Sequence, residues 1–280
     1  MILTELKNRI INNSEFQEQK NRLYKLSLAK SIGMELKDLE LNDKEICQLV
    51  ESASILADVD DTKMRMLAYR IITELYHICS DTHDGLYNIL YIILTKLGNF
   101  PAIKMFNGEY NLPEGIPTSL CYSLLGHKES NTVNSVLSKE LVLTDFQTDL
   151  WKTLNTGQSV AISAPTSAGK SFIIKEYVLS QLVNNEEICV IYIVPTRALI
   201  NQVQTEFQNM VEKANIHNLF ISTIPNLPED LIAKKKLFIL TQERLELLIN
   251  PNSDLYADII VVDEAHLISC LLYTSPSPRD

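Results

Sequence analysis

Ala164-Pro-Thr-Ser-Ala-Gly-Lys-Ser171 is the stretch that decides the fold of this chain, together with Asp263-Glu-Ala-His266 further along. The first stretch fits the phosphate-loop pattern at Gly169-Lys-Ser171, with Ala164 where the pattern prefers a glycine. Such a loop aims backbone N–H groups at phosphate oxygens, and the helix that follows adds positive potential at its N-terminus. The residues expected to contact nucleotide phosphates are Ala164, Thr166, Ser167, Ala168, Gly169, Lys170 and Ser171. Lys170 is expected to reach the β- and γ-phosphates, and the Ser171 hydroxyl to ligate Mg²⁺.

The second stretch ends an apolar run, Ile259-Ile-Val-Val262, which predicts a buried parallel strand. Asp263 follows the tip of this strand, where open α/β sheets hold their ligands. We expect Asp263 to share the Mg²⁺ with Ser171, and Glu264 to orient and deprotonate an attacking water. The two stretches, in this order, predict hydrolysis of a nucleoside triphosphate.

Between these stretches, apolar runs alternate with helical patterns. Val190-Ile-Tyr-Ile-Val194 precedes Pro195-Thr-Arg197, and Leu237-Phe-Ile-Leu240 precedes Thr241-Gln-Glu-Arg244. A further strand is expected at Val160–Ser163, followed after the phosphate loop by a helix that ends at Val183. The helix that follows the strand Val190–Val194 is expected to run from Arg197 to Ala214. This alternation predicts an α/β domain with a parallel, doubly wound sheet.

From Leu143 to Ser269 the chain resembles the superfamily 2 helicases of the DEAD/DEAH-box group, with the superkiller-like branch closest. Five motifs match in order, starting at Phe146-Gln147. The resemblance implies a RecA-like P-loop NTPase domain that uses ATP and Mg²⁺ to move along, or separate, strands of DNA or RNA. It implies that Gln147 reads the adenine and that His266 couples the ATP site to later motifs. The residues implied to lie along a single-stranded nucleic-acid backbone are Pro195, Thr196, Arg197, Thr241 and Arg244.

The chain departs from the family pattern at several places. Ser167 or Ala168 stands where the family usually has a second glycine, and Ser171 stands where it often has Thr. Both changes keep the backbone cradle and a hydroxyl for the metal. Gln242 replaces a common proline. No glycine-containing motif is found near Ser222-Thr-Ile224, so contacts there are not assigned.

Several motif residues could instead have a purely structural role. Thr144 and Gln147 stand at capping-box spacing, so Gln147 could serve only to cap its own helix. Thr196 could be an ordinary helix cap, and Thr241 could likewise begin a capped helix. Lys234-Lys-Lys236, a short basic run, could touch phosphates or form a solvated entry to a strand, and the second reading is favoured.

Residues 1–140 predict an all-α domain that precedes the nucleotide-binding domain of residues 141–269. Helical apolar spacing marks several segments, and the expected helices are Leu3–Asn12, Glu15–Ser31, one capped by Asn42, one capped by Asp61 or Thr62, Leu86–Leu97, Thr118–Leu125 and Val133–Leu137. His77, Cys79 and His83 lie close together, but no second ligand pair stands at zinc-site spacing, and we expect core or surface residues. The hypothesis for this domain is binding of a protein partner or regulation of the motor.

Composition and net charge bear on nucleic-acid binding, on the location of the protein and on the state of its cysteines. The net charge of −10 argues against nucleic-acid binding through bulk electrostatics, although a translocase needs only a local face that does not repel phosphates. No apolar stretch approaches the ~20 residues that cross a bilayer. We therefore expect no membrane association and a cytoplasmic location. Cys47, Cys79, Cys121 and Cys189 lie in or beside apolar runs and are expected to be buried free thiols.

The segment Cys270–Asp280 carries Ser-Pro-Ser-Pro-Arg and resembles a translated sequencing adapter, so we expect it to be foreign to the protein; the alternative is a natural tail. On the first reading the chain is the N-terminal part of a helicase that lacks its second motor domain and arginine finger, and by itself hydrolyses ATP poorly. The alternative function is an ATP-binding switch module that unwinds nothing, within a larger bacterial defence or remodelling complex.

Overall fold

The computed structural model describes residues 2–34, 39–108, 110–138, 140–226, 233–248 and 256–265, without the side chains of Ile2, Asn107 and Thr166. His266 and the segment 270–280 lie outside the described residues. The chain divides into two compact units. The first comprises Met1–Val133 and Val142–Thr148, and the second comprises Asn134–Leu141 and Asp149–Asp280.

The first unit is built from helices around one apolar core. Its helices are α1 (Ile2–Asn12), α2 (Ser14–Ser31), α3 (Asp43–Ala57), α4 (Thr62–Cys79), α5 (Leu86–Lys96), α6 (Phe100–Asn107) and α7 (Thr118–Ser130). Two short strands, β1 (Thr132–Val133) and β2 (Leu141–Val142), pair with each other, and α8 (Asp145–Leu154) follows. The chain passes from the first unit to the second within α8.

Side-chain caps set the start of two helices where the sequence predicted them. The Asn42 side chain accepts the backbone N–H of Glu45, and the Glu45 carboxylate accepts that of Asn42, which is a complete capping box at the start of α3. Asp61, not Thr62, caps α4 by accepting the N–H groups of Lys63 and Met64. Both caps satisfy donors that have no partner inside the helix.

One local prediction in this region is wrong, and one helix was missed. Val133–Leu137 is not helical, because the Ser135 hydroxyl accepts the backbone N–H groups of Leu137 and Ser138 and competes with a helix. Helix α6 was not predicted. Proline is tolerated in the first helical turn, and Pro101 occupies that position.

Asp145, the first residue of α8, is the centre of a polar network inside the first unit. Its carboxylate meets His127 Nε2 at 2.8 Å, accepts Asn131 Nδ2 at 2.8 Å and pairs with Arg65 at 3.4 Å. Its backbone N–H donates to the Gly98 carbonyl at 3.2 Å. Gly98 has a φ of +62°, and a Cβ placed there would lie 2.0 Å from the Asp145 Cγ. We call Asp145, Arg65, Gly98, His127 and Asn131 the Asp145 hub.

The second unit carries a four-stranded sheet whose strands are all parallel. Its elements in chain order are α9 (Lys170–Asn184), β3 (Ile188–Ile193), α10 (Arg197–Lys213), β4 (Leu219–Ser222), β5 (Lys235–Leu240), α11 (Gln242–Leu248) and β6 (Ile259–Val262). The spatial order is β4-β5-β3-β6. Every residue of β3 is buried, as expected of a central strand between two partners.

Alternate residues of β3 face two different apolar clusters. Val190 and Tyr192 pack with Val203 and Phe207 of α10 and with residues of α9. Ile191, on the other side, packs with residues of β5 and of α11. Helices therefore cover both faces of a parallel sheet, as the α/β prediction requires.

Two strand predictions need correction, and one strand was missed. Val160–Ser163 forms no strand: Val160 and Ile162 are only half-buried, so this segment buries too little apolar surface to add a strand to the sheet. Strand β6 is not buried on both faces, since Ile260 and Val262 are 55% and 43% exposed. Strand β4 was not predicted.

The structure also tests the cysteines and the long helices. Cys79 and Cys189 are buried, but Cys47 is exposed and Cys121 is half-buried, so burial was predicted wrongly for those two. Apolar neighbours in sequence do not bury a residue that lies on the outer face of its helix. Among the helices in the described part of the chain, none combines the length and apolar character that crossing a membrane requires.

Candidate functional site

The carboxyl ends of the four parallel strands bring most of the predicted motifs to one edge of the sheet. Ile193 of β3 stands in register with Leu240 of β5 and with Val262 of β6. The segments that begin at Pro195, Thr241 and Asp263 therefore leave the sheet side by side. Open α/β sheets generally bind their ligands at this edge, so it is the candidate site.

The phosphate loop of the second unit combines a tight turn with a helix start. Thr166–Ala168 forms one 3₁₀ turn, and Gly169 takes a left-handed conformation with a φ of +76° before α9 begins at Lys170. A residue with a side chain is strained at this φ, so glycine is needed here. Gly169, the residue before α9, has no side chain with which to cap the helix. The first N–H groups of a helix have no partner within it and suit an anion.

Lys170 lies at the mouth of this loop. Its ammonium group donates to the carbonyl oxygens of Ala164 and Pro165, the latter at 3.0 Å. Ser171, the next residue, is half-buried in the first turn of α9. The loop thus holds a cation and a hydroxyl next to the outward-pointing backbone donors.

Asp263 is held by strand β3 at two points. Its backbone N–H donates to the Ile193 carbonyl at 2.9 Å, and its Oδ2 accepts the Tyr192 hydroxyl at 3.2 Å. Burial raises the pKa of Tyr192, and the Asp263 carboxylate adds to the effect, so the phenol stays protonated and acts as the donor. Sequence reasoning missed Tyr192, and its one signal was a hydroxyl in an otherwise apolar strand.

Glu264 takes a left-handed backbone conformation, with a φ of +52°. This conformation is uncommon for a residue with a long side chain and costs on the order of 1–2 kcal/mol. Strain of this kind is concentrated at functional sites. Glu264 itself is half-buried, and its water-activating role stays a prediction.

Arg197 and the segment Thr241–Arg244 lie close enough to interact. The pKa of Glu243 is lowered chiefly by the nearby Thr241 side chain, then by its own backbone amide and by the charge of Arg197. Thr196 and Arg197 are exposed, Pro195 is half-buried and Thr241 is buried. Thr196 makes no side-chain cap hydrogen bond to α10, so the capping reading of this residue is not supported.

Arg244 is tied to the end of strand β4. Its Nη1 donates to the Thr223 carbonyl at 2.6 Å. Thr223 lies in the segment where the sequence allowed no assignment, and the contact shows that this segment meets Arg244. The basic run Lys234–Lys236 lies at the opposite, amino edge of the sheet, where the Lys235 Nζ donates to the Leu182 carbonyl at 2.7 Å.

Gln147 belongs to the first unit, whereas the phosphate loop belongs to the second. The Gln147 Oε1 accepts the backbone N–H of Thr144 at 3.1 Å, and the Thr144 hydroxyl accepts that of Gln147 at 3.2 Å. The predicted capping box at the start of α8 is therefore confirmed. A carbonyl oxygen has a second lone pair, so the cap does not exclude a further contact.

The part of the chain that carries the motifs is similar in sequence to known proteins. Residues 144–271 match the model of the DEAD/DEAH box helicase family, which confirms the resemblance drawn from the motifs. A DExH-box ATP-dependent RNA helicase, DExH9 of Arabidopsis thaliana, is 29% identical over 44% of this chain and 12% of its own length. The Hachiman protein HamB of Bacillus cereus is 29% identical over 38% of this chain and 10% of its own length.

The pre-mRNA-splicing factor brr2 of Schizosaccharomyces pombe is 23% identical over 40% of this chain and 6% of its own length. The chain thus spans about a tenth, or less, of these curated relatives. No solved structure gives a significant match.

Proposed function

With residues 144–271 matched to the DEAD/DEAH box helicases, we propose that this chain carries the first RecA-like ATP-binding domain of a nucleic-acid helicase or translocase. The proposed activity of the whole protein is binding and hydrolysis of ATP, coupled to movement on single-stranded DNA or RNA. One observation carries the proposal: three motif segments leave neighbouring parallel strands at the same edge of one sheet.

The residues present fit MgATP. Mg²⁺ prefers oxygen ligands from a few carboxylates or hydroxyls together with phosphates, and Asp263 and Ser171 supply a carboxylate and a hydroxyl. Lys170 and the start of α9 supply positive charge and N–H donors for the phosphates. Bound MgATP would supply the phosphoryl group and its charge-neutralising cation, and this chain's residues would hold both in place.

Three further roles are proposed around the nucleotide. Gln147 reads the adenine, Glu264 orients and deprotonates the attacking water, and His266 couples the site to later motifs. The strained backbone at Glu264 supports its role. The capping box at Gln147 supports a fixed orientation of that side chain.

The nucleic-acid contacts are proposed for the neighbouring segments. Those residues are Pro195, Thr196, Arg197, Thr241 and Arg244. The exposure of Thr196 and Arg197 supports contact with a sugar-phosphate backbone, which hydroxyls and arginines hold without reading sequence. For the helical residues 1–140 we propose recognition of a protein partner or regulation of the motor, and for the protein a cytoplasmic location.

Nucleotide binding by the 280-residue chain tests the ATP site. We expect Lys170→Ala to weaken binding of a fluorescent ATP analogue at least 10-fold, because the ammonium contacts the phosphates. Glu264→Gln should keep that affinity, because the residue acts on water and not on the nucleotide. Equal affinities of Lys170→Ala and the wild type would refute the phosphate-site assignment.

Turnover by the full-length protein, with and without single-stranded DNA or RNA, tests the motor. We expect strand-dependent stimulation of ATP hydrolysis, and loss of turnover in both Lys170→Ala and Glu264→Gln. Hydrolysis that neither DNA nor RNA stimulates would instead favour the ATP-binding switch module. Full turnover in Glu264→Gln would remove Glu264 from its water-activating role.

A further inference from the structure

Tyr192 links strand β3, which leads to Arg197, to the side chain of Asp263. The Asp263 carboxylate is the group proposed to bind Mg²⁺. The side chain is fully buried, at 0% exposure, in the middle strand of the sheet. Its hydroxyl donates to Asp263 Oδ2 at 3.2 Å. The backbone N–H of Asp263 is held by the next residue of the same strand, Ile193, at 2.9 Å. Asp263 is therefore fixed to β3 by its backbone and by one carboxylate oxygen.

The tyrosine ring is itself held in place. It packs edge-on against Phe207 of α10, with ring centroids 5.6 Å apart, and Phe207 is fully buried. Val190 and Val203 belong to the same apolar cluster, which leaves the ring little freedom to rotate. A donor fixed in this way holds its acceptor in one orientation without an entropic cost at the moment of binding.

We propose that Tyr192 is a positioning residue for Mg²⁺: its hydroxyl holds Oδ2 of Asp263 so that the other carboxylate oxygen is presented to the cation. This inference rests on the proposed function, since it assumes that Asp263 binds the metal of MgATP. Groups that hydrogen-bond a metal ligand orient it, and their removal typically costs about 10–100-fold in metal affinity.

The test is the substitution Tyr192→Phe, which removes the hydroxyl and keeps the ring. A matched control is Tyr91→Phe, because Tyr91 is also buried and its hydroxyl donates to the Tyr110 carbonyl at 3.4 Å, inside the first unit. A fluorescent ATP analogue is titrated onto the 280-residue chain in EDTA and over a range of Mg²⁺ concentrations. We expect Tyr192→Phe to raise the Mg²⁺ midpoint about 10-fold, with unchanged affinity in EDTA. Tyr91→Phe should match the wild type in both conditions.

A wild-type Mg²⁺ midpoint in a folded Tyr192→Phe would overturn the inference, and so would an equal shift in Tyr91→Phe. A second variant, Phe207→Leu, loosens the ring without touching Asp263 and should give a smaller rise in the midpoint. It decides the matter if Tyr192→Phe does not fold, and an unchanged midpoint there counts against the inference. Lys170→Ala reports on the premise, since nucleotide binding that survives this change would refute the proposed ATP site instead.

Discussion

Gly98→Ala should destabilise the first unit by more than the backbone conformation alone explains. Gly98 has a φ of +62°, which costs a residue with a side chain about 1–2 kcal/mol. The new Cβ would also lie 2.0 Å from the Asp145 Cγ and 2.1 Å and 2.2 Å from its two oxygens. The carboxylate must move away, and its contacts with His127 and Asn131 are lost.

The size of this second effect follows from the Asp145 hub. Hydrogen bonds to a charged group contribute roughly 1.5–3 kcal/mol each when they are well buried. The Asp145 side chain is 40% exposed, so water replaces part of what is lost. We therefore expect the hub to add about 2 kcal/mol, for a total loss of about 3–4 kcal/mol in the free energy of unfolding.

Urea denaturation followed by far-ultraviolet circular dichroism measures the loss, because the signal comes mainly from the helices of the first unit. Gly33→Ala is the matched control: Gly33 has a φ of +72°, and no atom lies within 4 Å of a Cβ placed there. Gly33→Ala introduces the backbone strain without the clash, so it should lower the free energy of unfolding by only about 1–2 kcal/mol.

The decisive comparison places Gly98→Ala in an Asp145→Ala background. With the carboxylate absent there is nothing to displace, so the cost of Gly98→Ala should fall to that of Gly33→Ala. Equal costs of the two glycine substitutions in the wild-type background would refute the reasoning, and so would a cost of Gly98→Ala that is unchanged when Asp145 is removed.

Two pH dependences follow from the half-buried Asp145 and the buried Glu176, each measured as the free energy of unfolding between pH 3 and 8. Burial acts to raise the pKa of Asp145, but hydrogen bonds from His127 and Asn131 outweigh it and hold the pKa below the ordinary 3.8. The stability that Asp145 contributes is therefore present above pH 3.8 and lost as the pH falls further, so Asp145→Ala and the wild type should converge there; a constant gap would contradict this. Burial raises the pKa of Glu176 above 4.5 despite a hydrogen bond from Ser135, so its ionisation costs stability as the pH rises through that raised pKa. Glu176→Gln should be more stable than the wild type at pH 8 and lose this advantage towards pH 4.5, and a variant that is less stable at pH 8 would show that the carboxylate is paired.

The sequence predicts local features well where a few neighbouring residues determine them. Asn42 with Glu45, and Thr144 with Gln147, form the caps that their spacing predicts, because donor and acceptor lie within one turn. Apolar runs likewise mark β3, β5 and β6. The common edge of the candidate site follows from parallel pairing alone, although the roles of its residues remain predictions.

Features that depend on distant segments could not be predicted in this way. The Asp145 hub joins residues from α4, α7 and the turn after α5, and no spacing in the chain indicates that they meet. The contact of Tyr192 with Asp263 depends on the register between β3 and β6. Val160–Ser163 shows the reverse failure: its short apolar pattern fits a strand, but Val160 and Ile162 are only half-buried and the segment does not join the sheet.

Strand β6 has a consequence for handling the protein. It is paired on one side by β3 and is the last strand of the described sheet, and its Ile260 and Val262 side chains are largely exposed. An open strand edge beside apolar side chains is a template on which other molecules add strands. Concentrated solutions of this chain should therefore self-associate through β6, and a lysine in place of Val262, outside the apolar clusters, is the substitution that should keep it dispersed.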